Sequence, residues 1–416
     1  MSSRVLLVGV ARSTRQRWAK AEALAELAAL TKTAGGTVVE RLIQVRPRLE
    51  SATLIGKGKA EEIRRICENY RIDLVVFEDA LTPTQLRNLE DIIGVRVIDR
   101  AAVILDIFAL HARTAEAKAQ VELAQLEYIK TRLTGLGVEM SRLGGGIGTR
   151  GPGETKLEVD RRRIEQRITS LRRELNRIEQ ERQVQRKRRD AILEIALVGY
   201  TNAGKSTLFN RLTSAFVRVS EQLFATLDAT SRVYQIHPQV KAVLTDTVGF
   251  IRNLPLQLVA SFRSTLAEIR EAELVLHIAD ISDPRVESQI DAVNENLALI
   301  GAGDKPNILV FNKIDRVFDD AIIARFRQHY PKAVFISALT GAGIDKLQEQ
   351  ICDFVSQQMV ERIFIIPENR WDLLTRVKKV GILVSEQLRN GKRRLKVRGF
   401  PAELGRLSKA IKRAFT

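Results

Sequence analysis

Two cysteines, Cys67 and Cys352, stand in 416 residues. So few thiols, so far apart, suggest neither a disulfide framework nor a thiolate metal site and fit a reduced cytosolic setting. Aromatic residues make up only 5% of the chain, so stacking of bases on aromatic platforms is excluded as a main binding mode. No apolar run approaches the roughly 18 residues of a transmembrane helix. The run Val5–Val10 is too short for a signal-peptide core, is bounded by Arg4 and Arg12, and reads as a first β-strand. Acidic residues are in deficit: 50 Asp and Glu against 67 Lys and Arg leave a formal charge of +17. That excess points to a polyanion. Phosphate-backbone and shape recognition of structured RNA fits it better than an anionic membrane surface, because no amphipathic terminus pairs an apolar face with a basic one. The length predicts two to four domains, and an apolar content of 45% is that of an ordinary globular chain.

What is present is more specific. Gly199 to Ser206 read GYTNAGKS, directly after the apolar run Ile192–Val198 and before a helical pattern. This is the phosphate-binding pattern G-x-x-x-x-G-K-[ST] in a strand–loop–helix setting. Gly199 and Gly204 allow a tight turn in which the N–H groups of Tyr200, Thr201, Asn202 and Ala203 point inward at phosphate oxygens. Lys205 reaches the β- and γ-phosphates, Ser206 offers a hydroxyl to Mg²⁺, and Thr207 follows in the first helical turn. Downstream, Phe224, Ala225 and Thr226 lie in a polar stretch, where Thr226 can close over the γ-phosphate and complete the metal shell. The strand Lys241–Leu244 runs into Asp246, Thr247, Val248 and Gly249. Asp246 stands where a carboxylate holds the metal through water, and Gly249 can direct its N–H at the γ-phosphate. Ser206, Thr226 and Asp246 are therefore the expected metal group; Lys205, Thr226 and Gly249 are the phosphate-contacting candidates, and no residue is assigned as the catalytic base.

Base choice is written further on. The apolar strand Ile308–Phe311 ends in Asn312, Lys313, Ile314 and Asp315. A carboxylate at Asp315 accepts hydrogen bonds from N1–H and the N2 amino group of guanine. Adenine has no donors at those places, which is a strong basis for rejection. The stem of Lys313 can cover the purine face, and the backbone of Ser337, Ala338 and Leu339 can meet guanine O6. The expected ligands are GTP and GDP. Phe250 follows the D-x-x-G tetrad at the position where Ras-like GTPases carry the Gln that orients water. Phenylalanine cannot do this, so hydrolysis should depend on another group or on a partner. Asn202 has two readings, a ligand for a stimulating K⁺ ion or a residue that tolerates the loop's backbone conformation.

Around this core the chain divides into four expected domains. Residues 1–112 alternate strands (Val5–Val10, Asp73–Phe77, Val95–Ile98) and helices (Trp18–Leu30, Ala60–Tyr70, Pro83–Glu90), an α/β pattern with a mainly parallel sheet. Gly56-Lys57-Gly58-Lys59 opens a helix; a turn plus helix start accounts for it more simply than a second nucleotide site. Residues 113–190 carry two heptad-like stripes, Leu126, Ile129, Leu133, Leu136 and Leu157, Ile164, Ile168, Leu171, Leu175, Ile178. They predict a long antiparallel helical hairpin, or, alternatively, a dimerisation coiled coil. Between the stripes lies the Gly-rich loop Ser141–Gly153 with Arg142, Gly144, Gly145, Gly146 and Arg150. The second helix is arginine-rich from Arg161, Arg162 and Arg163 through to Arg189. Residues 191–357 form the expected nucleotide domain, and 358–416 a small α+β domain whose Asn390-Gly391 signals a type I′ hairpin. From Trp371 onward thirteen Lys and Arg face three acids, a second candidate polyanion surface.

Assembled, these segments resemble the HflX family of GTPases that act on the ribosome. The resemblance covers nearly the whole length. It rests on SRLGGGIGTRGPGETKLEVDRRRI (141–164), LIGKGKAEEI (54–63), LTPTQLRNLEDIIG (81–94), AKAQVELAQLEY (117–128), GYTNAGKSTLFN and LFATLDATSR. A Pro is commoner in the family where Ala229 stands, and the basic C-terminal segment is harder to match. The resemblance implies an α/β protein: an N-terminal α/β subdomain with its hairpin, a Ras-like P-loop G domain and an α+β C-terminal domain. It implies a cytoplasmic, monomeric factor that uses GTP and Mg²⁺, binds the 50S subunit and dissociates stalled or idle 70S ribosomes. The hairpin would reach toward the peptidyl-transferase region, with Arg142, Gly144–Gly146, Arg150 and Arg161–Arg163 as candidate contacts to 23S rRNA. Ribosomes would stimulate hydrolysis. The alternative is a GTP-controlled RNA-binding or tRNA-modification switch that does not act on ribosomes.

Overall fold

Short apolar runs separated by capped helices build the first sheet. β1 (Arg4–Ala11), β2 (Thr37–Val45), β3 (Leu74–Phe77) and β4 (Arg96–Asp99) form a four-stranded parallel sheet in the order β2-β1-β3-β4. This computed structural model describes residues 3–143, 156–187, 193–215, 223–224, 226–252 and 263–413. Helices α1 (Arg17–Thr33), α2 (Lys57–Tyr70), α3 (Pro83–Ile93) and α4 (Arg100–His111) cover the sheet. Leu6, Val8, Val75, Phe77 and Val97 pack on Ala60, Ile63 and Cys67 of α2 and on Leu89 and Ile93 of α3. The start of α3 shows how local sequence sets an element. Thr82 Oγ accepts from Gln85 N at 3.2 Å, Gln85 Oε1 accepts from Thr82 N at 3.0 Å, and Pro83 occupies the first turn.

Helix α2 begins at Lys57 with Gly56 as its cap, and Gly56 N donates to the side chain of Gln44 at 3.2 Å. Lys59 pairs with Glu62 at 2.6 Å. The loop's first donor and its second lysine are thus engaged within the subdomain, as expected of a turn and helix start.

Two long helices follow, α5 (Ala115–Leu143) and α6 (Lys156–Lys187). The first runs on through Ser141, Arg142 and Leu143, so these residues continue the helix instead of opening the loop. Residues 144–155, which include Gly144, Gly145, Gly146 and Arg150, lie outside the described residues. Ala119, Leu123 and Leu126 of α5 pack on Ile164, Ile168, Leu171 and Leu175 of α6. Arg167 makes a two-pronged contact with Glu122 at 2.6 and 2.7 Å, and Arg172 reaches Glu127 at 2.8 Å. Part of the arginine run therefore serves the helix pair itself. The middle of α5 is tied to Asp99, a buried carboxylate at the end of β4 that accepts from Tyr128 Oη at 2.7 Å and Arg132 at 2.8 Å.

Arg182–Val219, Ala229–Arg252 and Thr265–Thr416 form a second unit, described by itself. β5 (Leu193–Gly199), β6 (Thr230–His237), β7 (Val240–Asp246), β8 (Leu274–Asp280), β9 (Asn307–Asn312) and β10 (Val334–Phe335) make a six-stranded sheet in the order β10-β9-β8-β5-β7-β6. All its pairings are parallel except β6 with β7. Helices α7 (Lys205–Thr213), α8 (Arg263–Glu271), α9 (Val286–Leu299), α10 (Asp320–His329) and α11 (Ile344–Gln357) accompany it. Leu208 and Phe209 of α7 share a core with Leu347, Ile351 and Val355 of α11, while Ile290 of α9 and Phe326 of α10 pack with Phe311.

β11 (Val360–Pro367), α12 (Trp371–Val380), β12 (Ile382–Arg389), β13 (Lys392–Gly399) and α13 (Pro401–Arg413) complete the chain. The three strands form an antiparallel sheet in the order β11-β13-β12. Asn390 (φ 52°) and Gly391 (φ 68°) turn β12 into β13, both left-handed as a type I′ turn demands. Leu373, Leu374 and Val377 of α12 and Leu404, Leu407 and Ile411 of α13 bury one face of this sheet.

Candidate nucleotide-binding site

The site is built where β5 hands over to α7. Gly199 has φ 155° and Gly204 φ 94°. A side chain on Gly199 would collide with the carbonyl oxygen of Ile278, and one on Gly204 with the Asn312 amide. Both glycines are required by close approach as well as by backbone shape. Asn202 sits at φ 62°, a conformation Asn tolerates, with an exposed side chain. Lys205 is buried, and its ammonium donates to the carbonyls of Gly199 (3.2 Å) and Tyr200 (3.0 Å). It is thus curled back over the loop that a phosphate would occupy.

The segment after β7 closes the other side. Ser206 Oγ donates to Asp246 Oδ2 at 2.6 Å, and Asp246 is fully buried. Thr247 Oγ1 donates to Leu197 O at 2.6 Å, which fixes the strand end. Phe250 N donates to Gly199 O at 3.0 Å, and Thr201 N to Phe250 O at 2.9 Å, so the turn is sewn to the phosphate loop. Gly249 abuts Lys205: a Cβ there would lie 3.1 Å from the ammonium nitrogen. The Phe250 side chain is buried, so it contributes packing and no polar group.

Two further loops interlock at the base-binding end. Asn312 is buried; its amide nitrogen donates to Ala203 O at 2.9 Å and its oxygen accepts from Ala338 N at 2.9 Å. One side chain thereby joins the phosphate loop to the Ser337–Leu339 loop. Ile314 N donates to Ile336 O at 3.2 Å, and Ser337 Oγ accepts from Thr340 N at 3.0 Å. Lys313, at φ 65°, donates to Asn202 O at 2.7 Å and pairs with Asp280 at 2.7 Å, which holds its stem along the loop. Asp315 is exposed in the short turn Ile314–Arg316. Leu339 is exposed as well.

Sequence patterns identify Lys313 but not the carboxylate beneath it. Asp280, at the end of β8, and Arg211, whose guanidinium donates to Ala338 O at 3.2 Å and to Leu339 O, support the base-binding loops from outside the motifs. An Asp that ends a strand apolar but for His277 is the available signal for the first; nothing marks the second. His277 on β8, beside Lys205, is buried and its pKa falls to about 4, from burial and then from the ammonium's charge.

Lys205 is itself pushed down to about 8, chiefly by burial, with Asp246 opposing and Lys313 adding to the fall. Because its pKa is lowered in the folded protein, the charged form is disfavoured there, and stability rises with pH between about 8 and 10.5 as that penalty is relieved. A triphosphate reverses the balance by favouring the ammonium. Triphosphate affinity should therefore fall by up to about tenfold per pH unit above pH 8, with proton uptake on binding. Calorimetry in buffers of different ionisation enthalpy checks this; a flat profile from pH 7.5 to 9.5 would contradict it.

Phe224 and Thr226 fall in the short segment that belongs with the N-terminal unit, and Ala225 lies outside the described residues. The second unit alone thus assembles Gly199–Thr207, Asp246–Gly249, Asn312, Lys313, Asp315 and Ser337–Leu339. Hard-ligand chemistry fits Mg²⁺ there: a hydroxyl and a carboxylate in direct contact at the start of α7. Of the loop N–H groups expected to face phosphate, those of Thr201 and Ala203 donate instead to the carbonyls of Phe250 (2.9 Å) and Tyr200 (3.2 Å). Among the described residues no cluster of three or more His, Cys, Asp or Glu offers another metal site.

A mainly parallel sheet with the phosphate loop after its β5 strand, a carboxylate at the end of β7 and an N-K-x-D turn at the end of β9 defines a P-loop GTPase. The family models described as "GTP-binding GTPase N-terminal", "GTP-binding GTPase Middle Region" and "50S ribosome-binding GTPase" match residues 21–109, 111–189 and 194–313. GTPase HflX of Caldanaerobacter subterraneus subsp. tengcongensis is 44% identical over 92% of this chain and 88% of its own length. The HflX proteins of Lacrimispora saccharolytica (45%, 93% and 91%) and Escherichia coli K12 (44%, 85% and 84%) are similarly related. The chain belongs to the HflX GTPase family, and it hydrolyses GTP.

Proposed function

We propose that this GTPase is a large-subunit factor: it engages the 50S subunit, dissociates 70S ribosomes, and hydrolyses GTP faster when bound to them. The observation that carries this reading is the set of phosphate-loop, D-x-x-G and N-K-x-D elements brought together in one sheet unit of a chain that also holds a long basic helix pair. The 50S ribosome-binding description of the family model over 194–313 supports it. On α6, Arg162, Glu165, Gln166, Thr169, Ser170 and Arg173 line one groove, so its two arginines are partly offset by a carboxylate. Arg163 is three-quarters exposed, and Arg161 pairs with Glu165 at 3.4 Å. With Arg142 at the end of α5 and Gly144–Gly146 and Arg150 of the loop, these are the proposed 23S rRNA contacts. Ser206, Thr226 and Asp246 are the proposed Mg²⁺ ligands.

The open face of the C-terminal sheet extends the proposed RNA surface. Lys392, Arg394, Lys396 and Arg398 alternate along its central strand, opposite Arg389, Gln387 and Ser385 on one side and Ile365 and Ile363 on the other. Glu361 neutralises part of this, pairing with Lys396 at 2.6 Å and Arg398 at 2.7 Å. Replacing Lys392 and Arg394 with glutamine should flatten the salt dependence of ribosome binding, by roughly 0.7–0.9 log units for each phosphate that is no longer neutralised. An unchanged slope in a filter-binding series would remove this face from the interface.

The whole reading is tested by hydrolysis rates with purified 50S and 70S particles, with tRNA and with duplex RNA. Stimulation by the particles alone is expected. Stimulation by tRNA instead would favour an RNA-modification switch. Rates in K⁺ and Na⁺ buffers decide the role of Asn202, with equal rates excluding a K⁺ ligand.

A further inference from the structure

The turn that carries Gly249 meets the phosphate loop at Thr201. Their backbones are joined by Thr201 N to Phe250 O at 2.9 Å and by Phe250 N to Gly199 O at 3.0 Å. At this junction a Cβ on Gly249 would stand 2.8 Å from Thr201 Cγ2, 2.9 Å from Thr201 Cα and 3.1 Å from Lys205 Nζ. Thr201 and the Lys205 ammonium therefore border one small space beside the backbone of Gly249. Two neighbouring hydroxyls are engaged: Ser206 Oγ donates to Asp246 and Thr247 Oγ1 to Leu197 O, both at 2.6 Å. Thr201 is only 7% exposed, and among the described residues its Oγ1 has no hydrogen-bond partner. A buried hydroxyl without a partner has given up hydration and gained nothing in return, a cost that natural folds keep for groups with a task. Phe250, the residue after Gly249, is buried and has no polar side-chain atom to offer.

We propose that Thr201 is a catalytic residue for GTP hydrolysis: its hydroxyl orients the attacking water at the γ-phosphate, the task that Phe250 cannot perform. A hydroxyl suits this place because it both accepts and donates, so it can bridge the water and a γ-phosphate oxygen. The step is an in-line displacement. The water oxygen forms a bond to the γ-phosphorus while the bond from that phosphorus to the β–γ bridging oxygen breaks. The electron pair of the broken bond stays with GDP, and one proton of the water passes to a γ-phosphate oxygen. A threonine hydroxyl is too weak a base to keep that proton, so its contribution is alignment. The fold thus carries an unsatisfied hydroxyl that is satisfied only with substrate in place, as sites built for function do. The proposal rests on the γ-phosphate lying between Lys205 and Gly249. It involves no ribosome, since the reaction is that of the chain alone.

The experiment uses the full chain with Mg²⁺ and without ribosomes. It measures single-turnover hydrolysis of GTP, the affinity of a non-hydrolysable fluorescent GTP analogue, and thermal melts of the nucleotide-free protein. Thr201→Val, which keeps the shape of the side chain and removes the hydroxyl, should slow hydrolysis by about 10- to 100-fold. Analogue affinity should stay within about threefold, because the lost interaction belongs to the reacting water. The nucleotide-free valine variant should melt about 2–4 °C higher, since an unsatisfied buried hydroxyl is gone and no hydrogen bond is lost. Thr201→Ser, which restores the hydroxyl, should keep hydrolysis within about fivefold of the wild type. Hydrolysis by Thr201→Val within about twofold of the wild type overturns the proposal. So does a loss of analogue affinity as large as the loss of rate, which would make Thr201 a binding residue. A serine variant as slow as the valine one would make the methyl group the active part, and a melting temperature that falls with the rate would make the hydroxyl structural; either result overturns the proposal as well. Lys205→Met, run alongside, separates two ways of failing. If it too leaves the rate unchanged, the γ-phosphate does not lie between Lys205 and Gly249; if it alone slows hydrolysis, that placement stands and Thr201 has no part in the step.

Discussion

Asp315→Asn will cost GTP on the order of 10⁴-fold in affinity and transfer the preference to xanthosine triphosphate. The carboxylate is exposed and makes no contact that the fold depends on, so stability should change by no more than about 0.5 kcal/mol. The loops around it are held by other groups, Asn312 to Ala203 and Ala338, and Ile314 to Ile336. What the substitution changes is the donor pattern facing the base. Guanine presents N1–H and an N2 amino group, both donors, to two carboxylate oxygens. An asparagine offers one acceptor and one amino donor, and that donor opposes guanine's own. Xanthine replaces the N2 amino group with a carbonyl, which that donor satisfies. Sites built on hydrogen-bond complementarity discriminate by 10⁴–10⁵, about the loss expected here. Competition binding with GTP, ATP and XTP measures it. Retention of GTP binding within tenfold would mean that Asp315 does not read the base.

Lys205→Met will lower hydrolysis by about 10²–10³-fold without lowering the stability of the nucleotide-free fold. Such a fall is typical when one donor to developing transition-state charge is removed. The stability half follows from burial. An ammonium whose pKa is held at about 8 instead of 10.5 is destabilising at pH 7 by on the order of 3 kcal/mol. Methionine removes that term, while leaving the carbonyls of Gly199 and Tyr200 without their donor, at about 1 kcal/mol each. The balance is neutral or stabilising by about 1 kcal/mol. Thermal melts and single-turnover hydrolysis on the same preparation test both halves. A melting temperature that drops together with activity would make Lys205 a structural residue.

Much of this was legible in the sequence, for physical reasons that differ by element. The phosphate loop, the D-x-x-G turn and the N-K-x-D turn are local motifs, and their residues fall around one site because each follows the end of a parallel strand. The helix Trp371–Val380 and the Asn390-Gly391 hairpin are likewise local, set by periodicity and by turn conformation. β2 carries no such signal: Glu40 and Arg41 interrupt its apolar alternation, and it is an edge strand that is mostly half-buried. α4 reads as a nearly continuous apolar run, which fits a buried strand as well as a helix. The arginine run of α6 promised a phosphate-facing surface, yet Arg167 and Arg172 reach across to α5, a contact 45 residues away that composition cannot reveal. Asp280 beneath Lys313 and Arg211 behind the Ser337–Leu339 loop are long-range contacts of the same kind.

Guanine nucleotide is expected to govern engagement of the large ribosomal subunit, with GTP favouring the bound state. Co-sedimentation with 50S and 70S particles, run in parallel with GDP and with a non-hydrolysable GTP analogue, tests it most directly. The protein is expected to pellet with 50S subunits in the analogue and to stay in the supernatant with GDP, and 70S particles are expected to shift toward free subunits as it binds. Equal pelleting in both nucleotides, or none in either, would contradict it.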